Sequence, residues 1–583
     1  MKDIRGNRVP NSEKANAIAE YLHSQQWGPK ENSSPLNPNK NKILHQDLEA
    51  NISAFQESEI QDAINKLKAN KAPGPDGAIT ELFKHLDADN IKTLTSCLNI
   101  LWQTKQVPDD FTNAFIASLY KKGDHENPEN YRPISLLNTT YKIFAFVLKV
   151  RLASALEKHL HQTQFGFRKG RSTVDPLFCL RRITDVVEQG NDQLVLIFLD
   201  WEKAFDKINH QKMFQSLRRL NIPEDLLAAI SSLYRHPQFQ VTHCEKNSGW
   251  LPQRTGIRQG CPLSPYLFIL TMHVMFEDVK KKSNDPRHRK KFQGINFQEL
   301  LYADDTLVLA KNFKIANEYL HLIEEESTYL DLSLNHSKCC YIAYNCLGQV
   351  FFQNGDRMTS TDEAKYLGAS ITQTINPRHE IRKRISATMI VLKKLDTFWL
   401  KSQCSKKWKL LVYNAVITSK VLYGLETLEP TESASRLLNT FQLRGLRKIL
   451  RLHTTYIQRQ NTNEYVYRRA NEIANGAIKP LTEILAERKM RLLGHVLRRE
   501  RQHPLHQSTF STSSAIPRET NYRRVGRPRQ FWTTTTMEKA WELMKFEDTS
   551  LPQVSFDKSN RHIREMIIEH ARQYKRPFTN EKN

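Results

Sequence analysis

The residues Tyr302-Ala303-Asp304-Asp305 lie between the apolar pair Leu300-Leu301 and the run Thr306-Leu307-Val308-Leu309-Ala310, a spacing that predicts a β-hairpin with two carboxylates at its turn. About a hundred residues earlier, the apolar run Leu194-Val195-Leu196-Ile197-Phe198-Leu199 reads as a buried strand that ends on a third carboxylate, Asp200. Three such groups suit Mg2+, which takes carboxylate oxygens and leaves its remaining positions to phosphate and water. Two ions ~3.5–4 Å apart can make a hydroxyl nucleophilic and hold the charge of a triphosphate. Asp200 and Asp304 are the first choices for bridging ligands, with Asp305 acting on one ion or through water; Mn2+ is the natural substitute metal. An Asp-Asp pair in a turn has a plainer use, capping its own backbone, and an Asp closing a strand is a weaker signal still. The weight therefore falls on what accompanies them.

Composition narrows the partners. The chain has 583 residues, 39% of them apolar, enough for two to four packed units. Its formal net charge is +24, which favours an anionic partner, because Lys and Arg that neutralise nucleic-acid phosphates also release counterions. The eight cysteines, Cys97, Cys179, Cys244, Cys261, Cys339, Cys340, Cys346 and Cys404, show no Cys-x-x-Cys spacing, so they read as reduced thiols rather than a disulfide frame or zinc site. Met1-Lys2-Asp3-Ile4-Arg5 opens no signal peptide, and no apolar stretch nears the ~20 residues that span a bilayer. The expectation is an intracellular protein, nuclear or cytoplasmic, neither secreted nor embedded in a membrane.

The elements that must position the acids can be read in outline. Residues 1–50 look linker-like, with one short helix near Glu13 to Gln26. A helix starts at Glu57-Ser58-Glu59-Ile60, with Ile60, Ile64 and Leu67 on one face, and stops in the rigid loop Asn70 to Gly77. A strand is expected over Ala114 to Tyr120, followed by the basic turn Lys121-Lys122-Gly123-Asp124. Mixed α/β patterning runs to about 372. Beyond it Ile381, Ile385, Met389 and Leu392 fall on one helical face, and further helices are suggested at Lys406 to Val421 and Ser435 to Leu450. From 476 the chain carries Arg498-Arg499, the Ser/Thr-rich stretch Ser508 to Ser514, and Arg523-Arg524-Val525-Gly526-Arg527-Pro528-Arg529; it is expected to be a basic extension, partly disordered.

Several further motifs occur in one order: Ala72-Pro73-Gly74-Pro75-Asp76-Gly77, Tyr131-Arg132-Pro133-Ile134-Ser135-Leu136-Leu137, Gln164-Phe165-Gly166-Phe167-Arg168 with Gly170-Arg171-Ser172-Thr173, the Asp200 segment, Arg258-Gln259-Gly260-Cys261-Pro262-Leu263-Ser264-Pro265, the acid hairpin, Leu334-Asn335 with Lys338, and Lys365-Tyr366-Leu367-Gly368. Through them the chain resembles reverse transcriptases of the non-long-terminal-repeat (LINE-type) retrotransposon family, most strongly over residues 55 to 372. The resemblance implies an α+β right-hand polymerase: fingers and an RRM-like palm sheet over 51–375, a helical thumb over 376–475, and the extension over 476–583. It implies RNA-directed DNA synthesis, with an RNA template, a DNA primer or target DNA, and dNTPs as partners. Arg132 would grip the triphosphate, assisted by Lys121 or Lys122, Arg offering a fixed fork of donors; for either Lys alone a solvated basic turn is equally plausible. Phe205 resembles a steric gate against the ribose 2′-hydroxyl and is equally a core aromatic, two roles that are compatible. Asp206 reads as structural. Gln259 and Gly260 would lie beside the nucleotide, and Lys338 would protonate the leaving pyrophosphate or simply face solvent. Gly74, Asp76, Phe165, Arg168 and Arg171 would meet the template, and Tyr366 and Gly368 the primer end. Arg382, Lys383, Arg384, Lys393 and Lys394 would track the duplex backbone.

Relatives of this type usually carry an endonuclease ahead of the polymerase. About fifty residues precede the first motif here, so that activity is expected to come from elsewhere. Nor does a cysteine follow Cys404 to build the zinc knuckle some relatives end in. Beside an active polymerase, two alternatives stay open: a catalytically silent or repurposed RNA-binding remnant, and an enzyme like an intron maturase.

Overall fold

The computed structural model describes residues 1–30, 33–46, 48–243, 245–283, 295–511, 514–519 and 530–573. Its architecture follows from the run Leu194-Val195-Leu196-Ile197-Phe198-Leu199, which forms a strand with every residue buried. Side chains of a strand alternate between faces, so a continuous apolar run needs cover on both. The odd residues Val195, Ile197 and Leu199 join one core, and the even residues Leu194, Leu196 and Phe198 join a second. This strand, β1 (Leu194–Leu199), is central in its sheet, antiparallel to β2 (Asp305–Ala310) on one side and to β3 (Cys340–Tyr344) on the other. Glu299–Tyr302 pairs outside β2, and Thr359–Ser360 lies parallel to β3. The expected hairpin is present, and the mixed α+β class with it.

A second sheet, with strands both before and after β1 in sequence, carries the basic turn. Asn113–Tyr120 pairs antiparallel with Tyr131–Leu136 and parallel with Gln238–His243. Helix α1 (Glu57–Lys66) begins in a capping box between Gln56 and Glu59, with Ile60 and Ile64 buried as the pattern requires. A third, separate core is wholly helical. Helix α2 (Pro377–Lys394) buries Ile381 and Leu392 there, alongside Lys406–Val412 and Glu432–Leu450. The helix expected over Lys406 to Val421 is interrupted by a π-turn at Tyr413–Thr418.

The two ends of the chain differ from expectation. The short helix expected near Glu13 to Gln26 is present as Lys14–Tyr21 and the turn Leu22–Gln26, but the segment is docked rather than linker-like: Ile18, Leu22 and Trp27 are buried in the first core, and the Trp27 indole N–H donates to Asp206 at 3.1 Å. Nor is the tail a loose extension. Helices α3 (Leu481–Leu497), α4 (Trp532–Glu547) and α5 (Arg561–Gln573) bring Leu493, Trp532, Trp541 and Ile563 into the second core, which the even residues of β1 share with the helix Val174–Gly190. Trp532 packs edge-on against Phe178 of that helix at 4.6 Å between ring centres. Arg498 and Arg499 are likewise engaged, donating to the Ala571 and Gly170 carbonyls. The Arg523 to Arg529 cluster and residues 512 and 513 of the Ser/Thr-rich stretch lie outside the described residues, as do 574–583 and Cys244. The other seven cysteines are free thiols. Among the described residues no helix is long and apolar enough to cross a membrane.

Because Trp541 is fully buried and its indole N–H donates to the Val554 carbonyl at 2.8 Å, Trp541→Ala should destabilise the whole sheet. A loss of about 3–5 kcal/mol is expected, read from denaturant melts followed by far-ultraviolet circular dichroism. A loss confined to the last fifty residues, with the sheet's unfolding unchanged, would show that the tail folds as a separate unit.

Candidate active site

The register fixes the acids. Leu199 opposes Thr306 across the β1–β2 pair, which carries Asp200 to the level of Asp305, while Tyr302 opposes Asp305 and leaves Ala303-Asp304 as a two-residue loop. Antiparallel neighbours at this position have Cβ atoms ~4.5–5.5 Å apart. The segment after Asp200 is pinned on both sides: the Trp201 indole donates to Thr306 Oγ1 at 3.0 Å, and the Asn335 amide to the Asp200 carbonyl at 2.8 Å. That second contact brings Lys338 over, its Nζ 3.3 Å from Asp200 Oδ2.

Electrostatics mark the same place. Burial and then the Asp200 charge raise the Asp304 carboxyl above its ordinary range, and burial with Asp304 and Asp200 pushes Asp305 up to about 6. Carboxylates arranged so that each opposes its neighbour's ionisation are a site for positive charge. The three oxygens are not mutually within 4.8 Å, a spread compatible with ions ~3.5–4 Å apart sharing them. The donor set therefore fits hard divalent cations.

Ala303 takes φ 58°, a left-handed conformation that costs an L-residue about 1–2 kcal/mol. What keeps it there is the Gln164-Phe165-Gly166 segment, which runs beside the hairpin as an added strand: Leu301 donates to the Thr163 carbonyl at 2.9 Å and Phe165 to the Leu301 carbonyl at 2.8 Å. Gly166 then lies flush on the turn, so that a Cβ added to it would stand 2.4 Å from the Ala303 nitrogen.

Asp200 and Asp304 form one wall of a cavity of about 760 Å3, whose other walls include Lys121, Lys122, Arg132, Lys203, Phe205, Gln259, Gly260 and Lys338. Partial burial and the neighbouring Arg132 charge lower the Lys121 ammonium from its ordinary value. Phe205 is half-buried and held stiffly, stacked on Phe268 at 4.4 Å between ring centres. Asp206 is 5% exposed yet reaches the lining of the same cavity, and receives the Gln259 side-chain amide at 3.2 Å. Gly260, at φ 139°, passes so close to the strand carrying Arg132 that a Cβ would meet the Ser135 carbonyl oxygen at 2.4 Å. Asp305 lies outside this lining, nearer Tyr366.

Several sequence-derived contacts are relocated. Phe165, 1% exposed, sits in the second core and cannot stack on a template base. Arg168 is buried, spent on Glu157 and on the His161 and Gln164 carbonyls. Arg171 is turned to Gln162. Gly74 is buried against the backbone of Leu137 and Asn138, while Asp76 stays exposed and accepts from the Ala78 amide. Tyr366 is buried, and the exposed part of its turn is Gly368. Of the basic residues on α2, Arg384 donates to the Gly368 carbonyl and Lys383 pairs with Glu363, leaving Arg382, Lys393 and Lys394 free-standing on the surface. Phe165, Arg168, Gly74 and Tyr366 thus shape their elements from within, while Asp76, Gly368, Arg382, Lys393 and Lys394 stay exposed.

Sequence reasoning missed four contributors. Gln26 lines the cavity and Trp27 anchors Asp206; the only signal was a tryptophan in an otherwise polar segment. Arg258 is buried and donates to the Phe111 and Thr112 carbonyls, bracing the Gln259-Gly260 loop. Tyr423 has its hydroxyl 2.9 Å from both the Leu367 carbonyl and Thr173 Oγ1, joining the two turns that flank the acids.

Residues 120–371 match the reverse transcriptase (RNA-dependent DNA polymerase) family. The chain is 26% identical over 388 residues to the transposon TX1 uncharacterized 149 kDa protein of Xenopus laevis, covering 64% of this chain and 28% of that one. It is 25% identical over 419 residues to the RNA-directed DNA polymerase from mobile element jockey of Drosophila melanogaster, covering 68% and 44%. A probable RNA-directed DNA polymerase from transposon BS of the same fly is 30% identical over 225 residues, covering 37% and 24%. The chain spans less than half the length of each of these relatives.

The Gly166 contact generates a prediction independent of turnover. Gly166→Ala should lift the Ala303-Asp304 turn and weaken Mn2+ binding at the acids by about tenfold or more, read from the electron paramagnetic signal of free Mn2+. Melting should fall only by several degrees, as for a change of order 1 kcal/mol in a large protein. Unaltered Mn2+ affinity would mean that the turn holds its shape without this contact.

Proposed function

We propose that residues 120–371, which match the reverse transcriptase family, work as a reverse transcriptase domain of the non-long-terminal-repeat retrotransposon type, and that the protein extends a primer 3′-hydroxyl with deoxynucleotides on an RNA template. The observation that carries the reading is one cavity lined both by the Asp200 and Asp304 carboxylates and by the cations Lys121, Lys122, Arg132, Lys203 and Lys338. A triphosphate needs both: fixed positive charge for its oxygens and a divalent ion shared with the acids. Asp200 and Asp304 would hold that metal, Mg2+ or Mn2+, with Asp305 beside them. When bound, the metal supplies charge for the triphosphate and lowers the pKa of the attacking hydroxyl.

The chain's own groups do the rest. Arg132 and Lys121 face the acids and are placed to orient the phosphates, with Lys122 and Lys203 adding charge at the cavity rim. Lys338, already against Asp200, is the donor nearest the acids for a proton delivered to the leaving pyrophosphate. Phe205, stiffened by Phe268, would stand where a ribose 2′-hydroxyl must go, and Gln259, its amide fixed by Asp206, would steady the sugar. The template would run over the exposed Phe167 and Lys169 beside the turn that Gly166 locks, with its primer end near Leu367-Gly368. In right-hand terms the β1 sheet is the palm, the sheet bearing Arg132 belongs to the fingers, and the helical unit after 376 is the thumb.

Purified protein given a DNA primer on an RNA template, dNTPs and Mg2+ should extend the primer. Asp304→Asn should reduce extension by about 10³-fold or more, the range for an essential catalytic group, while RNA affinity measured by filter binding stays within a few-fold. Wild-type inactivity under conditions where a control polymerase works would favour an RNA-binding remnant. Phe205→Ala should raise incorporation of ribonucleotides relative to deoxynucleotides by about tenfold or more; unchanged sugar discrimination in single-nucleotide kinetics would remove Phe205 from the gate.

A further inference from the structure

Away from the acid hairpin, on the far side of the 157–166 segment, four histidines gather around one carboxylate. His273 and Glu277 stand one turn apart on the helix Ser264–Ser283, hence on one face. His161 arrives from the segment preceding Thr163, its ring edge-on to His273 at 4.3 Å. One ligand atom from each of His161, His273 and Glu277 lies within 4.8 Å of the other two, and among the described residues this is the one trio of His, Cys, Asp or Glu side chains that meets the condition. His45, from the N-terminal segment, stacks on His273 at 5.9 Å, and His159 lies 4.5 Å from His45.

Two features set this cluster apart from an ordinary buried polar network. His273 is 2% exposed, and its Nε2 has no hydrogen-bond partner. His45 Nε2 is likewise buried and unpartnered. A buried polar atom left unsatisfied carries a desolvation penalty, so His273 Nε2 asks for a partner. His273 Nδ1 accepts from the His161 backbone N–H at 3.4 Å, and burial holds both His273 and His45 toward the neutral form, in which one ring nitrogen is a Lewis base.

We propose that His161, His273 and Glu277 bind one Zn2+ ion, with water in the fourth position, that staples the 157–166 segment to the helix Ser264–Ser283. Two imidazoles with one carboxylate are the donors of a zinc site, whereas Mg2+ would demand oxygen ligands throughout. One group opposes the ion: Lys280 Nζ lies 3.1 Å from His161 Nδ1. That ammonium is also 2.7 Å from Glu299 Oε1. Zinc uptake therefore moves the ring protons of His161 and His273 from Nε2 to Nδ1; Lys280 withdraws onto Glu299, and the His161 backbone N–H gives up its 3.4 Å contact with His273 Nδ1. Thr163, two residues beyond His161, donates to Glu299 at 3.1 Å and pairs with Leu301. The staple thus lies directly behind the strand that locks the acid turn. It draws on none of the groups assigned to nucleotide chemistry.

The full chain, stripped with EDTA and returned to excess Mg2+ so that the aspartates are filled, should take up one equivalent of Zn2+ in competition with a chromophoric chelator. Co2+ in its place should give the visible absorption of a four-coordinate site. Glu277→Gln and His161→Gln should each weaken Zn2+ by about tenfold or more. The rise in melting temperature on adding Zn2+, measured in each protein against its own EDTA melt, should shrink accordingly, which keeps the result separate from any intrinsic instability of a variant. No Zn2+ retained against Mg2+, or an equivalent indifferent to both substitutions, as binding to the cysteines would be, overturns the proposal.

Discussion

Three carboxylates held together repel. At the ~5 Å separation of cross-strand neighbours, each ionised pair costs about 3 kcal/mol at an effective dielectric constant near 20. The fold must supply that energy from elsewhere, and much of the surrounding structure can be understood as the means. Strand pairing fixes the Asp200 backbone at the level of Asp305. The Gln164-Phe165-Gly166 segment then clamps the Ala303-Asp304 turn from outside, with backbone hydrogen bonds and a contact only a glycine permits. Partial protonation of Asp305, pushed up to about 6, is the relaxation that remains when no cation shares the charge. A bound divalent ion removes the penalty, so the same strain that opposes folding favours metal binding.

This arrangement explains why residues of the template-facing motif proved to be buried. A clamp works only if it is itself immobile. Phe165 is driven into the second core, Arg168 ties the segment to Glu157, and Arg499 from the C-terminal helices holds the Gly170 carbonyl at 2.9 Å. His495 stands 3.4 Å from Asp175, at the start of the next helix. The C-terminal part of the chain therefore shares the second core with β1 and anchors the loop that follows the clamp.

Much of the site was legible in the sequence because its chemistry is local. The hairpin, the strand ending at Asp200, the basic turn and the Arg132 strand each declare themselves in a handful of consecutive residues, and the cavity unites Asp200 and Asp304 with all of Lys121, Lys122, Arg132, Phe205, Gln259, Gly260 and Lys338. What was not legible depends on contacts between distant segments. Composition marked residues 1–50 as linker-like because Asn, Ser and Pro predominate, yet one indole bonded to Asp206 and a few apolar side chains suffice to dock them. The tail's charge suggested a solvated surface, whereas its tryptophans are buried in the second core. The run of six apolar residues in β1 already required a layer on each face; only the identity of the second layer was hidden.

The same distinction separates the aromatic and cationic residues that meet ligand from those that build the site. Arg132 and Arg258 are both arginines in polymerase-like motifs, but Arg132 is exposed in the cavity while Arg258 is buried, bonded to the Phe111 and Thr112 carbonyls with Tyr141 under its guanidinium. Two of the five Arg258 donors are committed to those carbonyls, so this side chain braces its loop from the edge of the cavity lining. Phe205 and Phe165 divide likewise: one half-exposed at the cavity wall, the other enclosed. Motif identity thus names the neighbourhood of a function, and the balance of burial against unused hydrogen-bonding capacity decides which members of the motif can take part in it.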